Sequence, residues 1–162
     1  MRLKFVQKII DIIRGKDFIR TRGTHNVVEY AKENKKNLRI NVVGDNNSII
    51  IKPLNKCSKG IININIFGDN CTVKIDENFY VSNSFNILIG QNHPNFGKVK
   101  NSTLNIGNDV SMEKVEYMTF NSNSFCNIKE QCVFAGNPAK VVKENIDWDA
   151  NGNKYGYIEN LI

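Results

Sequence analysis

Histidine is nearly absent from this 162-residue chain, which holds His25 and His93 and no others. Its four cysteines, Cys57, Cys71, Cys126 and Cys132, form no C-x-x-C pair. With so few imidazoles beside them they offer no metal-ligand spacing, so no metal is expected. They read as reduced, mostly buried thiols of a cytoplasmic protein, since no cleavable signal peptide precedes them. Positive charge is not gathered into one run. The 22 Lys and Arg are interspersed with 16 Asp and Glu, so nucleic acid is not an expected partner despite a net charge of +6 and a pI near 9.1. Helical spacing fails after residue 36, which leaves an α/β fold without crossover helices. The length suits one folding unit with a real core and is too short for two ordinary domains.

Asparagine is what the chain has in excess, 26 residues in all, often beside isoleucine as in "IININIFGDN". Asn is poor in helix interiors and ordinary strands but tolerates left-handed and turn conformations. A chain with so much Asn between short apolar alternations requires many tight corners. A phrase recurs from Gly23 onward: "GTHNVV", "GDNNSIII", "GDNCTVKI", "GQNHPNF" and "GNDVSM", opening with Gly at 23, 44, 68, 90 and 107. Between these corners, Ile62, Ile64 and Ile66, Val73 and Ile75, Ile87 and Ile89, and Leu104 and Ile106 alternate with polar residues, as in strands with one buried face. Similarity on this repeat length indicates a solenoid whose turns bury apolar residues against one another. Alternation alone also suits a jelly roll or sandwich. The recurring Gly-Asn corner and the presence of only three prolines favour the β-helix.

Residues 1–16, "MRLKFVQKIIDIIRGK", place Leu3, Val6, Ile10 and Ile13 on one helical face, with Arg2, Lys4, Lys8 and Arg14 elsewhere. A short amphipathic helix is expected there, over the open end of the β structure or against an anionic membrane surface. It is too short to span a bilayer.

The stretch "FAGNPAKVVKENIDW", residues 134–148, resembles the closing motif of the hexapeptide-repeat acyltransferases. The "GDNN" corners, "IGQNHPNFG" and the tail "ENIDWDANGNKYGYIENL" resemble their branch that O-acetylates bacterial surface polysaccharides. The likeness covers most of residues 20–162 and implies an all-β, left-handed parallel β-helix. An amphipathic N-terminal helix would occupy 1–20, coils 21–134, and the closing motif with an irregular tail 135–162. It also implies an acetyl-CoA-dependent transferase acting on a sugar hydroxyl of a capsule or lipopolysaccharide precursor, assembled as a homotrimer with the CoA site between subunits. Ala135, Gly136, Asn137, Ala139 and Lys140 would line that site. Lys140 and Lys143 are suited to CoA phosphates as point charges.

Such an enzyme needs a histidine to accept the proton of the attacking hydroxyl. His25, in "GTHN", reads as a substitute for a corner Asn. His93, in the loop-like "IGQNHPNFG", is the candidate base. The usual Asp-x-His phrase and a run of hexapeptides are not found between His93 and Gly136, so the resemblance implies an enzyme lacking its middle coils. The alternative is a catalytically silent β-helix serving as a binding or assembly module. Glu113 and Glu116 read as solvated charges on a coil face.

Overall fold

The computed structural model describes residues 18–90, 98–112, 117–128, 133–135, 140–143, 146–148 and 155–157. The expected N-terminal helix falls on residues 1–17, outside that set. The chain coils as a β-solenoid of about four turns, with parallel strands stacked on three sides. On the first side lie β1 (Phe18–Arg22), β3 (Leu38–Val43), β5 (Ile62–Asp69), β8 (Phe85–Ile89) and β12 (Tyr117–Phe120). The second side stacks β2 (Val27–Tyr30), β4 (Ser48–Ile51), β6 (Thr72–Ile75), β10 (Thr103–Ile106) and β13 (Phe125–Ile128). The third is less regular. It begins with a 3-10 helix, Lys32–Asn37, continues through residues 52–61, and becomes a sheet at β7 (Tyr80–Val81), β11 (Ser111–Met112) and β14 (Val133–Ala135). A short β9 (Val99–Lys100) pairs with the end of β5. Each circuit of the three sides is called a rung below, numbered one to five from β1 to β12.

The alternation of the sequence builds the core directly. Parallel pairing aligns Leu38 with Ile62, Ile40 with Ile64 and Val42 with Ile66, then Ile62, Ile64 and Ile66 with Phe85, Ile87 and Ile89. All of these side chains are buried. On the second side Ile49, Val73 and Leu104 form one inward row, and Ile51, Ile75, Ile106 and Ile128 another. Phe79 closes the third corner edge-on to Phe85, with ring centroids 6.0 Å apart at 64°. Truncating a buried Ile here would cost about 2–5 kcal/mol, because stacked rows leave little room for collapse around a void.

Three expectations are revised. Strand β1 starts at Phe18, so the first rung begins ahead of the boundary drawn at residue 20. The tail is not wholly irregular. After β14, β15 (Lys140–Lys143) folds back antiparallel, and β16 (Ile146–Trp148) pairs antiparallel with β17 (Tyr155–Tyr157). The Gly phrases do not all mark one corner. Gly23, Gly44 and Gly68 share a corner. Gly90 lies one register position earlier, against the Phe67 carbonyl, and Gly107 follows β10 on the second side. Residues 99–135, where the repeat is hard to follow in sequence, hold β9 to β14; β12, β13 and β14 pair in parallel with β8, β10 and β11.

Candidate functional site

The corner between the first and second sides is built from four stacked rows. His25, Asn46, Asn70, Asn101 and Asn123 all adopt positive φ, between 54° and 58°. Each of the four asparagines is bonded to the rung above, as Asn46 N–H donates to Thr24 C=O and Asn70 N–H to Asp45 C=O. Asparagine is the side-chain-bearing residue that best tolerates this left-handed conformation. His25 does stand where the other rungs carry Asn, as expected, and it is exposed.

One position later, Asn26 and Asn47 turn toward the interior. The Asn47 Nδ2 donates to the Gly68 carbonyl at 2.9 Å and to Asn26 Oδ1 at 3.0 Å, while its Oδ1 accepts from Cys71 N–H at 3.0 Å. Asn26 Nδ2 likewise donates to the Gly44 carbonyl at 2.7 Å. The glycines before them are required by space. A Cβ on Gly44, at φ +136°, would lie 1.9 Å from the Gly68 carbonyl oxygen.

The fourth row is acidic. Asp45 Oδ1 accepts from Thr24 N–H at 2.6 Å and Thr24 Oγ1 at 3.0 Å, and Asp69 Oδ1 accepts from Asp45 N–H at 2.9 Å. The Thr24 backbone and hydroxyl bonds hold the Asp45 carboxyl below its ordinary pKa, outweighing burial, and Lys98 and His25 add attraction. Lys98 Nζ approaches Asp69 Oδ1 at 3.4 Å.

At this corner the coil is interrupted. Ile66 pairs with Ile89, 23 positions on, whereas Gly68 pairs with Val99, 31 positions on. Residues 91–98, between Gly90 and Val99, are therefore eight more than the register of the preceding pairs requires, and His93 is among them, outside the described residues. The base of the insertion adjoins Asp69 through Lys98. Sequence reading singled out His93 but passed over Asp45, Asp69 and Lys98. The signal was the shared Gly-Asp-Asn at 44–46 and 68–70, which aligns the two carboxylates at 24 residues.

No family model, curated protein or solved structure matches this chain.

Of the residues assigned to a CoA site, Ala135 ends β14, and Lys140 opens β15 directly across from it. Gly136, Asn137 and Ala139 lie outside the described residues, as do Glu113 and Glu116. The motif thus spans the point where the chain leaves the last parallel strand and reverses. It belongs to the third side, while Gly90 and Lys98, which bracket the His93 insertion, stand at the corner between the first and second sides. Within one chain the two pieces are not brought together by the described strands.

Elsewhere, a shallow cavity of about 280 Å³ is lined by Pro53, Leu54, Asn55, Lys56, Glu77 and Asn78. Among the described residues, no group of three or more His, Cys, Asp or Glu is placed to hold a metal, and no helix is long and apolar enough to cross a membrane. The described thiols are not disulfide-bonded. Cys71 is buried and Cys126 half-buried, and desolvation raises the pKa of both, while Cys57 is exposed. Its turn, residues 55–58, is held by Asn55 Oδ1 accepting the Cys57 N–H at 2.8 Å, which needs no side-chain packing from Cys57. Ser111 Oγ is the one buried side-chain polar atom without a partner among the described residues, and it lies in β11, one strand from β14.

Proposed function

We propose that this protein is a CoA-dependent O-acetyltransferase of the hexapeptide-repeat, left-handed β-helix type, acting on a sugar hydroxyl of a surface-polysaccharide precursor at the cytoplasmic side of the membrane. The observation that carries this reading is the eight-residue insertion at the rung-four corner, residues 91–98, whose sequence holds the one histidine besides His25. An insertion of this kind adds nothing to the core and is the ordinary place for chemistry on a rigid scaffold. The string A-G-N-P-A-K at the end of the last parallel strand supports it. The β14–β15 reversal supplies small residues and, at the two ends of β15, Lys140 and Lys143.

In this reading His93 accepts the proton of the acceptor hydroxyl, whose oxygen forms the new ester bond to the acetyl carbon as the thioester C–S bond breaks, and the proton passes to the departing sulfur so that CoA leaves as its thiol. Acetyl-CoA, when bound, supplies the activated acyl group. Backbone N–H groups beside Ala135 and Gly136 hold negative charge on the carbonyl oxygen, and Lys140 meets phosphate. Because the described ends of the insertion, Gly90 and Lys98, and those of the motif, Ala135 and Lys140, stand on different sides of one chain, the active unit is read as an oligomer, and the resemblance implies a homotrimer in which one subunit's insertion meets another's closing motif.

The test is calorimetric titration with acetyl-CoA and with CoA, followed by turnover on O-deacetylated polysaccharide. Saturable binding weakened by Lys140→Ala, and turnover abolished by His93→Ala with unchanged circular dichroism, are expected. In addition, mixed oligomers of His93→Ala and Lys140→Ala should turn over faster than either variant alone at acetyl-CoA concentrations that do not saturate Lys140→Ala. Absence of acetyl-CoA binding by the folded protein would overturn the proposal.

A further inference from the structure

The fold sorts charge that is interspersed along the sequence. Residues 18–60, which build rungs one and two, carry nine Lys and Arg against three Asp and Glu, whereas residues 61–128 carry four against six. Much of the excess lies on the third side. There the 3-10 helix Lys32–Asn37 of rung one rests on residues 52–60 of rung two. Asn34 Nδ2 donates to the Lys52 carbonyl at 2.7 Å, Leu54 N–H donates to Asn34 Oδ1 at 3.0 Å, and Asn37 Nδ2 donates to the Gly60 carbonyl at 2.8 Å. Asn34 and Asn37 are buried, so the two layers are joined from within. Lys32, Lys35, Lys36, Lys52, Lys56 and Lys59 are all exposed, and Glu33 is the one carboxylate in these two segments.

Six like charges on two adjacent layers repel one another, which a fold has reason to tolerate where an anionic partner offsets it. The chemistry of the patch selects among anions. It contains no arginine for bidentate base or phosphate recognition and no aromatic residue on which a base could stack, so it is poorly suited to nucleic acid. Lysines on flexible stems, spread over a side of the solenoid, suit a mobile array of headgroups.

We propose that the lysine side of rungs one and two docks the protein on an anionic lipid bilayer. The proposal does not depend on the acetyltransferase reading. It is also separate from any contribution of residues 1–16, although Arg2, Lys4, Lys8 and Arg14 immediately precede rung one in sequence and add charge of the same sign.

The experiment is co-sedimentation of the full chain with phosphatidylcholine vesicles with and without phosphatidylglycerol. Binding is expected with the anionic lipid alone and falls as salt rises, because screening weakens attraction between exposed charges. The variant K36Q/K56Q/K59Q should lose about a hundredfold in partitioning, at roughly a factor of five for each lysine. A control losing the same charge from rungs three and four, K74Q/K98Q/K100Q, should change it several times less. Circular dichroism verifies the folding of each, and the salt titration of the native chain tests the proposal without any variant. Equal binding to neutral vesicles, a K36Q/K56Q/K59Q variant within twofold of native, or tighter binding to a single-stranded oligonucleotide than to the anionic vesicles would each overturn it.

Discussion

Replacing Asn47 with alanine tests how the corner is held together. The side chain is 1 % exposed and bonds three neighbours at once, the Gly68 carbonyl and the Cys71 N–H in the rung below and Asn26 Oδ1 in the rung above. Alanine deprives two buried backbone groups of these bonds, at about 1–3 kcal/mol each, so the substitution should cost about 2–5 kcal/mol. For a chain of this length that corresponds to a fall of roughly 5–20 °C in Tm. Asn46→Gly, one position earlier, is the control. It removes a side chain whose role is to sit at φ 56°, which glycine adopts freely, so stability should change by less than about 1 kcal/mol. Thermal and urea unfolding followed by circular dichroism would measure both. If Asn47→Ala lay within about 0.5 kcal/mol of native, as an ordinary surface change does, the buried ladder would not be what secures the corner.

Two further expectations concern ionisation and thiols. Asp45 has a folded pKa below its ordinary 3.8 through its Thr24 bonds, so its stabilising contribution is complete above that value and is lost as pH falls through the folded pKa. Asp45→Asn should therefore flatten the acid limb of stability against pH; an unchanged acid limb would refute the role. Brief alkylation of the native protein followed by peptide mapping should label Cys57 well before Cys71, since Cys71 is fully buried with its thiol pKa raised by desolvation; equal labelling would contradict the packing.

What the sequence determined by itself is local. The alternation at Ile62–Ile66 and Ile87–Ile89 specifies strands with one buried face, because side chains of a strand point alternately to its two sides. The Gly-Asn phrases specify corners, because few other residues accept positive φ, and His25 could be recognised as standing in for an Asn on the same ground. What only the tertiary structure decided depends on register between rungs. The Gly phrases at 23, 44 and 68 already carry the spacings of 21 and 24 residues that place Arg39 below Phe18, Ile62 below Leu38 and Asp69 below Asp45, but no phrase in the sequence marks the step of 31 that places Val99 below Gly68. Register divides the asparagines into exposed left-handed corners and a buried ladder, and shows that the phrase at Gly90 opens an insertion. It also collects the lysines of 32–36 and 52–59 on one side. Each of these is a property of residues some twenty positions apart that become neighbours about 4.8 Å from one another once parallel strands pair.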